Sequence, residues 1–292
     1  MKKALKLHKS IEEQIELLKS RGLIISDDAQ ASEVLSTISY YRLSGYLHSF
    51  KQKGTDKYQE GLSFSKISRI YEFDAKLTRL IMFVLEDIEE TFKTRFSYTL
   101  SSSFPAEPLI YLNASIYRDQ SDFDKFKKLF LESKKNNKGL PFIQHHYKVY
   151  GGDLPIWVAV EIMTMGNLQA LYGNLNGCYQ KEIAKKYNTG PQQLENWLEN
   201  ITYTRNHLAH FMRIYKYSFG RIPKSCKNHP INAVYTGKIF DQIAVMSFMY
   251  SKPKEWNEYV LPEMKELLQG YGDVVACSDL GFPPDWERVL KK

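Results

Sequence analysis

The sequence predicts an all-α fold, on three observations. Apolar residues recur at helical spacing through most of the chain, turn-forming residues fall between those stretches, and alternating strand patterns are scarce. Ile11, Ile15 and Leu18 lie at i, i+4 and i+7 of a first helix that stops at Arg21-Gly22. A second helix starts near Asp27-Asp28, whose carboxylates suit a helix N-terminus, and leads into Ile38-Ser39-Tyr40-Tyr41-Arg42-Leu43-Ser44-Gly45-Tyr46. Residues 51–61 are polar, with Gly54 and Gly61 near their ends, and read as a loop.

Residues 64 to about 100 form the strongest helical stretch of the first half. Leu77, Ile81, Val84/Leu85, Ile88 and Phe92 make one apolar stripe, with Glu86, Asp87, Glu89 and Glu90 placed elsewhere on the helix. The run 101–108, with Pro105 and Pro108, breaks it. A basic amphipathic segment follows over 122–135, then a turn at 134–139. Residues 154–163 carry Pro155 at a first-turn position and read as a buried helix, with a short strand as the alternative. A polar helix over 179–187 stops before Asn188-Thr189-Gly190-Pro191, and a long helix then runs from 192 to about 217. Beyond Phe219-Gly220, four prolines (Pro223, Pro230, Pro253, Pro262) leave room for two helices, 238–250 and 256–268. The tail 281–286 reads as an extended segment that docks aromatics on the body. Residues 1–220 are expected to form the main helical domain, and 221–292 a C-terminal helical extension packed on the same body.

The 292 residues carry a net charge of +7 and are 43% hydrophobic, enough to bury a core while the surface attracts polyanions such as RNA, DNA or an anionic membrane. No apolar run is long enough to span a bilayer, and the charged N-terminus lacks the apolar stretch of a signal peptide. The expectation is a cytoplasmic protein with no membrane partner. Cys178, Cys226 and Cys277 are widely spaced and odd in number, which suits free thiols in a reducing compartment. His145-His146, read as lying in a loop, has no acidic or cysteine partner at ligand spacing, so no metal site is expected, nor any cofactor.

The chemistry concentrates in Arg205-Asn206-His207-Leu208-Ala209-His210. Metal-free RNA cleavage needs a group that moves protons near neutral pH, which suits histidine with its ordinary pKa near 6.5. It also needs a permanent cation that forks hydrogen bonds onto phosphate oxygens, which suits arginine. On a continuous helix, Asn206, His210, Arg213 and Tyr217 share a face. Arg205 lies about 100° away, on the stripe of Leu194, Leu198, Ile201, Leu208, Met212 and Tyr215. A site completed by a second copy of the chain reconciles this geometry better than a bonded pair on one helix. By spacing alone the pattern is weak, because Arg-x4-His arises by chance in many helices.

Five blocks in order give it more weight. The segment Tyr40-Tyr41-Arg42-Leu43-Ser44-Gly45-Tyr46 resembles a signature of the Abi-type abortive-infection proteins of the AbiD/AbiF-like kind. Tyr71-Glu72-Phe73-Asp74-Ala75-Lys76-Leu77, Ile88-Glu89-Glu90, Leu154-Pro155-Ile156-Trp157-Val158 with Met165-Gly166, and Trp197-Leu198 through His210 are similar to the blocks that follow it in that family. The resemblance covers roughly residues 10–220. It implies a HEPN-like helical bundle with additional N- and C-terminal helices. It also implies a metal-independent endoribonuclease whose catalytic residues are Arg205 and His210, with Asn206 beside them, in a homodimer. A structured small RNA is the implied regulator.

Further RNA-contact candidates are Arg213, Arg42, Tyr41, Tyr46, Lys127 and Lys128, on the logic of phosphate-binding cations and base-stacking rings. For the 40–46 block the competing reading is structural, with Gly45 allowing close helix packing and Tyr41 and Tyr46 filling core. Two other functional classes stay open: a non-catalytic RNA-binding module, and a protein-interaction component of a phage-defence or toxin–antitoxin system.

Overall fold

A computed structural model describes residue 5, residues 7–224 and residues 236–292. Among them the chain is all-α, and extended backbone pairs only in three isolated bridges, Ile24 with Ser63, Lys51 with Tyr58 and Tyr117 with Leu175. Cys226 and Pro230 lie outside the described residues; Cys178 and Cys277 are free and exposed.

Helix α1 (Ile11–Ser20) opens on a reciprocal capping box between Ser10 and Glu13 and stops at Arg21, as its sequence predicts. The second helix is two: α2 (Asp28–Thr37), capped by Asp27, and α3 (Tyr40–Leu47), capped by Ser39. The break comes at Ile38, whose backbone is extended and so frees Ser39 to accept the Arg42 N–H.

Helix α4 (Phe64–Ser103) has 40 residues, a rod of about 60 Å. It is the spine of the molecule. Its stripe of Phe64, Ile67, Ile70, Phe73, Leu77, Ile81, Leu85, Ile88, Phe92 and Phe96 is buried throughout. Against α4 pack α3, α7 (Ile156–Ala159), α9 (Gly177–Lys185), α10 (Pro191–Ala209), α11 (Ile239–Met249) and α13 (Leu261–Gly270). Asp87, off the apolar stripe by spacing, is nonetheless only 7% exposed, because it receives the Ser251 hydroxyl at 3.0 Å and the Lys252 ammonium at 2.7 Å.

The 154–163 stretch is helical, α7 passing straight into a 3₁₀ turn at Val160–Ile162. Helix α5 (Gln120–Asn136) buries Phe123, Phe126 and Phe130 and lies against α8 (Met165–Asn174). His145 and His146 sit on a helix, α6 (Pro141–Val149), not in a loop. Pro141 starts that helix, and His146 Nδ1 lies 2.8 Å from the Asp153 carbonyl.

Toward the C-terminus, α12 (Pro253–Glu255) leads into a π-helical turn, Trp256–Val260, and then α13. The wider turn accommodates Pro262, which cannot donate to the preceding turn. The tail docks Phe282 and Trp286 on the body, and Trp286 begins a short helix, α14 (Trp286–Leu290), rather than staying extended. The buried hydrophobic side chains of these elements, α12 apart, form one cluster.

A candidate active site at the C-terminal end of helix α10

Pro191 starts α10 at a position where its missing N–H costs nothing, and Leu194, Trp197, Leu198, Ile201 and Leu208 bury one side against α4, α8 and α11. The helix does not run on to 217. It ends at Ala209, with His210 as the cap. Phe211 turns to φ 55°, its N–H donates to the Leu208 carbonyl at 2.9 Å, and the Met212 N–H donates to the His207 carbonyl at 3.1 Å. These are the paired bonds of a Schellman ending, with phenylalanine where glycine usually stands.

Left-handed backbone costs a non-glycine residue about 1–2 kcal/mol, so other contacts must hold this turn. Three do. Asp74 on α4, 3% exposed, accepts the N–H groups of Ile214 (2.8 Å) and Tyr215 (3.0 Å) and the Tyr46 hydroxyl (2.9 Å). Arg213 donates to the Gly45 carbonyl and, at 3.1 Å, to the Ser49 hydroxyl, with its guanidinium over the Tyr46 ring. Arg42 lies over the Phe211 ring at 5.4 Å and reaches the Phe211 carbonyl at 3.5 Å. Burial pushes the Asp74 carboxyl up to about 6, with the three donors pulling the other way.

These contacts correct several expectations. Arg213 does not share a helical face with Asn206 and His210, because the helix has already ended; it folds back onto α3. Tyr46 is 4% exposed, so it fills core and has no ring face to offer a base. Gly45 does not mark a close approach, since a Cβ there would meet nothing within 4 Å; its carbonyl is what the turn uses. Tyr41, in contrast, is 87% exposed and fills no core. Met212 and Tyr215, placed on the α10 core stripe by spacing, lie beyond its end.

Within the motif the four polar positions diverge. His207 is buried. Its Nε2 bonds the Arg213 carbonyl at 3.0 Å, its ring lies 4.3 Å from that of Tyr217, and burial lowers its pKa. Arg205 is half-buried at the edge of the core. Its Nη1 donates to Asn206 Oδ1 at 3.2 Å, and its Nε stands 3.9 Å from Glu89 on α4, a carboxylate that also pairs with Lys93 at 3.3 Å. Asn206 and His210 are exposed. Arg205 and His210 are not bonded to each other. Ideal helix geometry separates them by about 140° around the axis and about 7.5 Å along it. Lys127 and Lys128 are exposed on α5.

The blocks that are distant in sequence therefore meet in space. Residues 40–46 and Asp74 brace the turn after α10, Glu89 faces Arg205, and Gly166 on α8 sits beside Thr202. Asp74 and Glu89 escaped the sequence reading as site residues. Asp74 had a signal: a carboxylate at a core position, four residues after Ile70 and three before Leu77. Among the described residues, no three His, Cys, Asp or Glu side chains gather as metal ligands, and no helix is long and apolar enough to cross a membrane.

Residues 33–216 match the family described as Abi-like protein. No curated protein and no solved structure matches the chain.

Proposed function

This chain belongs to the Abi-like protein family, and on that premise we propose that it is an abortive-infection effector that cuts RNA without a metal ion. The observation that carries this reading is the division of labour at the end of α10. The surrounding polar groups His207, Asp74 and Arg213 are bonded into the fold. Arg205 and His210 instead present a guanidinium edge and an imidazole to the surface of the same helix end.

In the proposed reaction His210 takes the proton of a ribose 2′-hydroxyl. The oxygen attacks the adjacent phosphorus, and the bond from phosphorus to the 5′-oxygen breaks as that oxygen gains a proton. The products are a 2′,3′-cyclic phosphate and a 5′-hydroxyl. Arg205, aimed by Asn206, binds the non-bridging oxygens as charge builds on them. The separation of Arg205 from His210 on one chain fits a site shared between two copies in a HEPN-like homodimer, one histidine withdrawing the proton and another returning it. A structured small RNA is the regulator we propose for this activity.

The test is incubation of the purified protein with structured and single-stranded RNAs in the presence of EDTA. Cleavage that leaves cyclic phosphate ends, and is lost in Arg205→Ala, is the expected result. A strict requirement for added metal, or full cleavage by Arg205→Ala, overturns the mechanism. RNA binding with no cleavage by the wild type assigns the same surface to a non-catalytic RNA-binding role.

A further inference from the structure

Beside the helix end lies a cleft of about 140 Å³ between α3, α4 and the 211–212 turn, lined by Arg42, Tyr46, Tyr71, Asp74, Arg79 and Phe211 among others. It begins one residue beyond His210. We infer that this cleft is a binding subsite for single-stranded RNA, gripping the nucleotide next to the scissile phosphate; the inference rests on the function proposed above and deepens it.

Charge is the first argument. Along this side of α4, Lys76 is paired with Glu72 at 2.8 Å and Arg69 with Asp273, so both cations are already matched. Arg79 is exposed, and neither it nor Arg42 has a carboxylate partner among the described residues; Arg42 lies over the Phe211 ring and donates to the Phe211 carbonyl. The one carboxylate in the cleft, Asp74, sits at its floor, covered and bonded by three donors. Two guanidinium groups therefore face an opening with no exposed acid, which suits a phosphodiester.

Shape and polarity are the second. Phe211 is 70% exposed and Met212 52%, and the left-handed backbone at Phe211, held by the Schellman bonds, keeps that ring on the surface. A ring displayed at such a conformational cost beside two arginines that no carboxylate neutralises among the described residues is a surface on which a base stacks while its phosphate is held. A free phosphate would use the arginines and leave the ring idle. Arg79 also lines the two neighbouring clefts along α4, of about 390 and 430 Å³, so it stands where the subsite opens onto them.

The experiment uses the full chain carrying His210→Ala, so that bound RNA stays intact, and a fluorescent single-stranded 12-mer RNA as the probe. Binding is followed by anisotropy across a salt series for this background and for the added changes Arg79→Ala, Arg42→Ala and Phe211→Ala. Arg288→Ala, a change of an 82% exposed cation on α14, is the control. Each arginine change should weaken binding about tenfold at low salt and flatten the dependence of log K on log salt by about 0.7, the share of one phosphate contact on a single strand. Phe211→Ala should weaken binding without changing that slope. Unchanged melting of Arg79→Ala shows that the fold is intact.

If both arginine variants bind within twofold of the background with the same slope, the subsite is overturned, and cleavage by the wild type would leave the proposed function standing. If they lose binding while wild type cleaves nothing, the subsite stands and the catalytic reading falls. No RNA binding by any form overturns both.

Discussion

The last turn of α10 and the five residues after it are neighbours in sequence and opposites in construction. From Arg205 to His210, Arg205, Asn206 and His210 lean outward, and the one ion pair is a 3.9 Å approach of Arg205 to a glutamate shared with a lysine. From Phe211 to Tyr215, backbone and side chains are held by Asp74, Gly45, Ser49 and Arg42, from segments some 140 to 170 positions away. The difference teaches what the 40–46 and 71–77 blocks do. They hold in place the turn that ends α10, and that turn sets where His210 and Phe211 stand. The proposed chemistry is local to the helix end, and the placement of the residues proposed for it is a tertiary property.

Removing the brace should break this arrangement most. Asp74→Ala leaves the Ile214 and Tyr215 N–H groups and the Tyr46 hydroxyl buried without an acceptor, and should cost about 3–4 kcal/mol in urea unfolding. A loss under 1 kcal/mol would mean that the turn is held elsewhere.

The next effect is in pH. Asp74 has a folded pKa of about 6 against 3.8 for the ordinary group, so the folded state holds its proton more tightly than the unfolded one. That favourable difference is complete below the unfolded value and is lost as pH rises through the folded one. Between pH 4 and 7 the wild type should lose up to about 3 kcal/mol relative to Asp74→Asn. His207 works in the reverse sense: its pKa is lowered by burial, so its contribution is present above its unfolded pKa and is lost as the unfolded state takes up a proton on acidification. Unfolding curves of the two neutral variants, Asp74→Asn and His207→Gln, should therefore diverge from wild type with opposite slopes. Parallel slopes would contradict the assignment.

A smaller loss, about 2 kcal/mol, is expected for His207→Ala, which removes a buried ring and the bond to the Arg213 carbonyl. Differential scanning calorimetry reads it directly.

Much of the fold was legible in residue spacing because it depends on local patterns. The stripe of α4 from Leu77 to Phe92, the stop at Arg21, the break before α10 and the amphipathic α5 all follow from period and caps. What spacing missed has a common cause. Nothing between 206 and 217 announces a helix end: no glycine or proline stands there, and Met212 and Tyr215 continue the apolar period. The stop comes from Asp74 and Gly45, which capture the Ile214, Tyr215 and Arg213 groups that the helix would otherwise carry onward. The burial of Asp87 was hidden for a related reason, since its partners Ser251 and Lys252 lie 164 and 165 positions away. The candidate site residues Arg205, Asn206 and His210 were legible as residue types, and their standing rested on resemblance; the contacts of the surrounding residues were visible only in three dimensions.

In the proposed division of labour His210 serves chemistry and not the fold, while His207, Asp74 and Arg213 beside it serve the fold. It is tested most directly by measuring the melting temperature and the initial rate of RNA cleavage, with EDTA present, on one preparation of His210→Ala beside wild type. The predicted result is unfolding within about 0.5 kcal/mol of wild type, as for a surface substitution, with cleavage reduced at least about a hundredfold, the low end of what a positioned acid–base group supplies. Cleavage at the wild-type rate, or a loss of activity that merely follows a loss of folded protein, would contradict it.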